Sequence, residues 1–112
     1  MARLRSDFWV SAYLRLCATE GIAAALRRRG HGEAGEVFVK ADHLDQSATL
    51  YGPAPLALMD DTGERRFYRI MGPAFSGDIE QRIAKELKFD PDLWLVEVDV
   101  RGELTNLPLV SL

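Results

Sequence analysis

The chain has 112 residues, of which 47 % are apolar and 28 % charged, and a net charge of −3. That balance excludes a disordered chain and fits one domain over residues 1–112, with a tail after about residue 102 that is expected to be loosely ordered. A single cysteine, Cys17, excludes an internal disulfide or a cysteine-based zinc motif and suits a reducing, cytoplasmic setting.

Up to His31 the chain holds six Lys/Arg against two Asp/Glu, and from Gly32 onward eight against fifteen, so about +4 is followed by −7. Folding is expected to mix the two ends. A nucleic-acid surface is disfavoured, because such domains are usually plainly basic and this one has a pI near 5.3. The apolar N-terminal stretch is interrupted by Arg15 and Glu20, so it reads as folded structure rather than a targeting segment or membrane span.

Ser6 is placed to cap a helix over residues 6–19, with Asp7 in its first turn. Phe8, Ala12 and Leu16 repeat at i, i+4, i+8, and Trp9, Tyr13 and Cys17 form a neighbouring row, which together predict a wide core-facing stripe. Gly21 is suited to end the helix in the left-handed conformation. Residues 22–29 are read as a strand from the alternation of Ile22, Ala24 and Leu26.

EVFVKAD (36–42) and SATLYG (47–52) predict an antiparallel hairpin, closed by GPAP. LALM (56–59) suits a short strand or helical turn, DDTGE (60–64) a turn, and RRFYRIM (65–71) a further strand, followed by GPAFSG as connector. Asp78 and Gln81 have capping-box spacing before a helix over 78–88, lined by Ile79, Ile83 and Leu87. DPD (90–92) is a turn into LWLVEVDVR (93–101), whose Trp94, Val96 and Val98 face a core while Glu97, Asp99 and Arg101 face solvent. The order implies an α+β domain: a mainly antiparallel sheet of about five strands with two helices on one face.

FWVSAYLR, RRRGHGEAGEVFVK, LYGPAP and FDPDLWLVEVDV occur here in an order that resembles a small alphaproteobacterial family, the domain-of-unknown-function family numbered fourteen-ninety-one. FDPDLW is the most specific part of the resemblance, which runs over roughly residues 3 to 100. It implies a small, cytoplasmic bacterial protein and brings no activity or catalytic residues.

Gly30, Gly32 and Gly35 match the dinucleotide fingerprint G-x-G-x-x-G, but a strand follows them where the fingerprint demands a helix. The match is accidental and the loop is a turn between strands. Arg27 and Arg29, sharing one strand face, together with His31 and Arg66 are the candidate contacts for an anion, a nucleic acid or a partner. Their bland alternative is pairing with Glu33, Glu36 or the acidic second half.

His31 and His43 with Asp42 or Asp45 could supply metal ligands or a small hydrolase site, but no spacing motif ties them together. Cys17 reads as a buried small hydrophobe. No catalytic residue, metal site or cofactor motif is assigned. The reading is a non-enzymatic interaction module that binds a protein partner or its own copy. Phe67, Tyr68 and Met71, on a strand needing cover, are the candidate homodimer interface.

Overall fold

The computed structural model describes residues 4–55 and 64–111, so LALM and most of DDTGE lie outside the described residues. Within them, helix α1 (Ser6–Thr19) leads into strand β1 (Ala24–Arg28), then β2 (Val37–Asp42), β3 (Ser47–Pro53) and β4 (Phe67–Phe75). Helix α2 (Ser76–Phe89) follows, and β5 (Trp94–Asp99) returns to the middle of the sheet. The strand order is β1-β5-β2-β3-β4, an open five-stranded sheet. Every pair is antiparallel except β2 with β5, where Val37 stands opposite Trp94 and Val39 opposite Val96. The expected β2–β3 hairpin is present. The connector expected at 72–77 is instead the end of β4 and the start of α2.

Successive side chains of a strand point to opposite faces, and the two cores divide along that alternation. Val37, Val39, Ala41, Trp94, Val96 and Val98 pack with Val10, Tyr13 and Cys17 of α1. Phe38, Leu93 and Leu95 pack with Ile79 and Ile83 of α2. The helices therefore cover opposite faces of the sheet and do not share one face as expected. β2 and β5 are apolar on both sides up to Lys40 and Glu97, as central strands buried on two faces must be.

The ends of the helices explain their lengths. Gly21, at φ +73°, closes α1: its N–H donates to the Ala18 carbonyl at 3.1 Å and the Ile22 N–H to the Cys17 carbonyl at 2.8 Å, the paired bonds of a Schellman end. At the other end Ser6 is the first helical residue and not the cap. The Ser6 and Asp7 N–H groups donate to the Glu33 and Gly32 carbonyls at 3.2 and 2.9 Å. α2 starts at Ser76, two residues before the expected capping box, and its first N–H donates to the Gln46 carbonyl at 2.8 Å. Neither helix has a capping side chain at its N-cap position; loop carbonyls take the Ser6, Asp7 and Ser76 N–H groups instead.

The tail after residue 102 is part of the domain. Leu104 and Leu107 are buried in the α1-side core. Phe67 donates to the Pro108 carbonyl at 2.9 Å and the Val110 N–H to the Phe67 carbonyl at 2.8 Å, so the tail lies along the start of β4.

Candidate functional site

The glycine-rich loop is a clasp. Its Gly32 and Glu33 carbonyls accept the first N–H groups of α1, and the Gly35 carbonyl accepts from Ser6 Oγ at 2.5 Å. On its other side the His31 N–H donates to the Asp92 carbonyl at 2.9 Å. A Cβ at Gly30 or Gly35 would collide with the Asp92 backbone, so close approach of two chains is why glycine stands there. The first donors of α1 are spent on the Glu33, Gly32 and Arg5 carbonyls and on the Asp7 carboxylate, which leaves none for a phosphate.

The candidate arginines do not converge. Between Leu26 and Arg28 the pairing of β1 with β5 slips, with Leu26 opposite Val96 and Arg28 opposite Leu95. Arg27 faces the α2 side, alternate to Leu26 on the α1 side, and the bulge then turns Arg29 the other way, its guanidinium lying over the Trp94 ring, 5.2 Å from its centroid, on the α1 side. The expectation that Arg27 and Arg29 share a face fails at the bulge. His31 Nδ1 accepts from the Ala34 N–H at 3.2 Å within its own turn. Arg66 pairs with Glu64 at 3.3 Å.

Arg27 belongs to a charged cluster that the sequence did not single out. Its Nη1 and Nη2 grip Glu80 of α2 at 2.8 and 3.0 Å, and Nη1 also reaches Glu97 at 3.0 Å. Lys40, buried in the central strand, donates to Glu80 at 2.6 Å and stands 3.6 Å from Glu97. The Arg27 fork, followed by Lys40, pulls the Glu80 carboxyl down to about 2 against the opposing effect of burial. Glu97 is thus tied into an ion network and is not part of a solvated face. A lysine between apolar neighbours in VFVKAD was the available clue, since a buried ammonium requires partners.

Beside this network the carboxylates of Asp42, Glu97 and Asp99 come within 4.8 Å of one another. Three hard oxygens could take a divalent cation, but Arg27 and Lys40 already neutralise Glu97 and Asp42 Oδ1 accepts the Leu44 N–H at 2.8 Å. His43 has both ring nitrogens engaged, with the Val100 carbonyl at 3.0 Å and Thr49 Oγ1 at 2.9 Å, so neither is presented to a metal or a substrate. Cys17 is fully buried.

The candidate interface also changes. Phe67 is 1 % exposed and packs against Trp9 at 5.2 Å, so it is covered by its own chain. Met71 packs on the α2-side core, and Tyr68 is half-buried. An exposed apolar row lies instead on α1, while Phe75 and Phe89, more exposed still, stand singly at the two ends of α2. Val10, Tyr13 and Cys17 turn inward, which leaves Phe8 at 56 % and Leu16 at 41 % exposed, with Ala12 between them. A groove of about 280 Å³ beside this row is lined by Trp9, Ala12, Leu16 and Pro108.

An open, mostly antiparallel sheet with one helix on each face, closed by a tail strapped to its edge strand, defines a small α+β domain. The chain belongs to the family described as "Protein of unknown function (DUF1491)", which matches residues 4–107. Similar solved structures include a protein from A. tumefaciens determined in solution, 36 % identical, with a TM-score of 0.84 over 98 % of this chain and 97 % of that one. A crystal structure of a DUF1491 protein from Caulobacter crescentus is 29 % identical, with a TM-score of 0.77 over 96 % and 98 % of the two chains. An NMR structure of a DUF1491 protein from the same organism is 29 % identical, with a TM-score of 0.76 over 99 % and 100 %. No curated protein matches the chain. Among the described residues no helix is long and apolar enough to cross a membrane.

Proposed function

We propose that this protein is a non-enzymatic interaction module of the bacterial cytoplasm whose α1 outer face docks a second copy of the chain. The observation that carries the reading is the exposed row Phe8–Ala12–Leu16 on a helix whose opposite side is core. Single exposed apolar residues are ordinary on a folded surface. A row at helical spacing beside a groove is the ridge that another helix packs against.

The row is self-complementary. In an antiparallel pair crossing at Ala12, Phe8 of each copy meets Leu16 of the other, and the small Ala12 side chains let the helices approach. Arg5 at one end and Glu20 at the other would face each other across the pair, in register with opposed helix dipoles. Two-fold pairing of one patch with itself is the commonest form of soluble assembly. Fully buried Cys17 suits a reducing compartment.

Sedimentation equilibrium at micromolar concentration tests the reading. The wild-type chain is expected to have a dimer mass and Phe8→Asp a monomer mass with an unchanged fold. A monomer mass for the wild type overturns it.

A further inference from the structure

Where the tail runs along the start of β4 it walls a second, open cavity, of about 400 Å³. Its walls include Tyr51, Tyr68, Arg69, Glu103, Leu109 and Val110. That volume is at the lower end of small-molecule sites, which run roughly 300–1,000 Å³.

Three polar groups in this cavity have no other use. The Tyr51 ring is buried, and its hydroxyl, which has no hydrogen-bond partner among the described residues, is the part that opens into the cavity. Arg69 sits opposite Tyr51 in the β3–β4 register, and Glu103 comes from the tail. Neither makes an ion pair among the described residues, and they do not pair with each other. Both act on the same phenol: burial first, then Glu103, raise the Tyr51 pKa, while Arg69 opposes them.

Arg69 and Glu103, both exposed, and the Tyr51 hydroxyl line one open cavity, and a cation beside an anion selects against ligands of a single charge. A lone anion meets Glu103 and a lone cation meets Arg69. A zwitterion satisfies both. An arginine fork takes a carboxylate through two parallel bonds, and a glutamate takes an ammonium. The tyrosine rings with Leu109, itself 41 % exposed, and Val110 offer an apolar wall for the rest of the molecule.

We propose that this cavity binds a free α-amino acid with an apolar side chain, its carboxylate on Arg69, its ammonium on Glu103 and the Tyr51 hydroxyl between them. The site is distinct from the outer face of α1 and does not depend on self-association.

Amide-resolved NMR titration of the whole chain tests it, with L-leucine, and with N-acetyl-L-leucine and L-leucinamide, which each lack one charge. Saturable shifts centred on Tyr51, Arg69 and Glu103 are expected with L-leucine, and binding about tenfold weaker or more for either analogue, an effect of one decade in affinity. Arg69→Gln should erase the advantage of leucine over leucinamide, and Glu103→Gln its advantage over N-acetyl-leucine. Tyr51→Phe should weaken binding with the amide spectrum otherwise retained. No saturable shift with leucine, equal binding of all three compounds, or binding indifferent to both charge-removing variants overturns the proposal.

Discussion

The Trp94 indole N–H donates to the His31 backbone carbonyl at 2.8 Å, so the largest side chain of the core is also the pin of the glycine-rich loop. Packing and loop geometry therefore fail together when Trp94 is lost. Trp94→Ala is expected to cost about 3–5 kcal/mol, the range for deleting a large buried aromatic. Trp94→Phe keeps most of the apolar volume and gives up the hydrogen bond, at about 1–2 kcal/mol. Urea unfolding of the two variants separates the contributions; equal losses would mean that the bond to His31 holds nothing.

Gly30 and Gly35 carry the companion prediction. Each sits where a Cβ would strike the Asp92 backbone, so Gly35→Ala must push the loop away from β5 and from Ser6. A loss of about 1–3 kcal/mol, typical of overpacking, is expected in the same unfolding assay. A neutral Gly35→Ala would show that the clasp has slack.

The acid limb of stability is set in part by Glu80. Its carboxyl is drawn from the usual 4.5 to about 2 by Arg27 and Lys40. A depressed carboxyl stabilises the fold above its unfolded value, and that contribution is lost as pH falls from about 4.5 towards 2. Glu80→Gln should flatten the stability profile across that window. With Glu80 partly solvated, the cost at neutral pH should be about 1 kcal/mol, the upper end for an exposed pair. The check is a series of urea midpoints from pH 6 down to about 2; parallel profiles for the two proteins would refute it.

The strands were legible because β2, β3 and β5 carry apolar residues that no exposed segment of this length would keep, and Trp94, Val96 and Val98 are buried as their alternation implied. The Ile79–Ile83–Leu87 stripe was legible for the same reason, α2 being polar elsewhere. α1 was not, because Phe8–Ala12–Leu16 and Val10–Tyr13–Cys17 are both apolar rows, and only the packed sheet decides which turns inward. The sides taken by the two helices depend on where β5 inserts, a long-range pairing without local trace in the chain. The cavity at Tyr51 was illegible too, since it needs a tail that sequence alone left loose.

The rotation of α1 has a direct consequence for stability. Phe8→Ser should change it by no more than about 0.5 kcal/mol, as surface substitutions do, although Phe8 is the larger side chain. Val10→Ala, at 2 % exposure, should cost about 1–3 kcal/mol. Thermal or urea unfolding at protein concentrations low enough to hold the chain monomeric decides it. A larger effect at Phe8 than at Val10 would mean that the helix is turned the other way.

Arg27 and Arg29 supply the last prediction, in which two surface cations behave as structural residues. An anion-binding pair would lose affinity for a polyanion when both are removed, and its salt dependence would flatten. Here Arg27 is committed to Glu80 and Glu97, and Arg29 lies over the Trp94 ring on the other side of the sheet. The wild-type chain is therefore expected to show no salt-sensitive binding of single-stranded RNA or polyphosphate, even at low ionic strength. Arg27→Ala should instead lower stability at neutral pH and release the Glu80 carboxyl towards its ordinary value, shrinking the acid limb of stability between about pH 4.5 and 2. Arg29→Ala should leave that limb in place, because its guanidinium touches no carboxylate of the cluster. RNA binding that is lost in the double variant would return these arginines to an anion site.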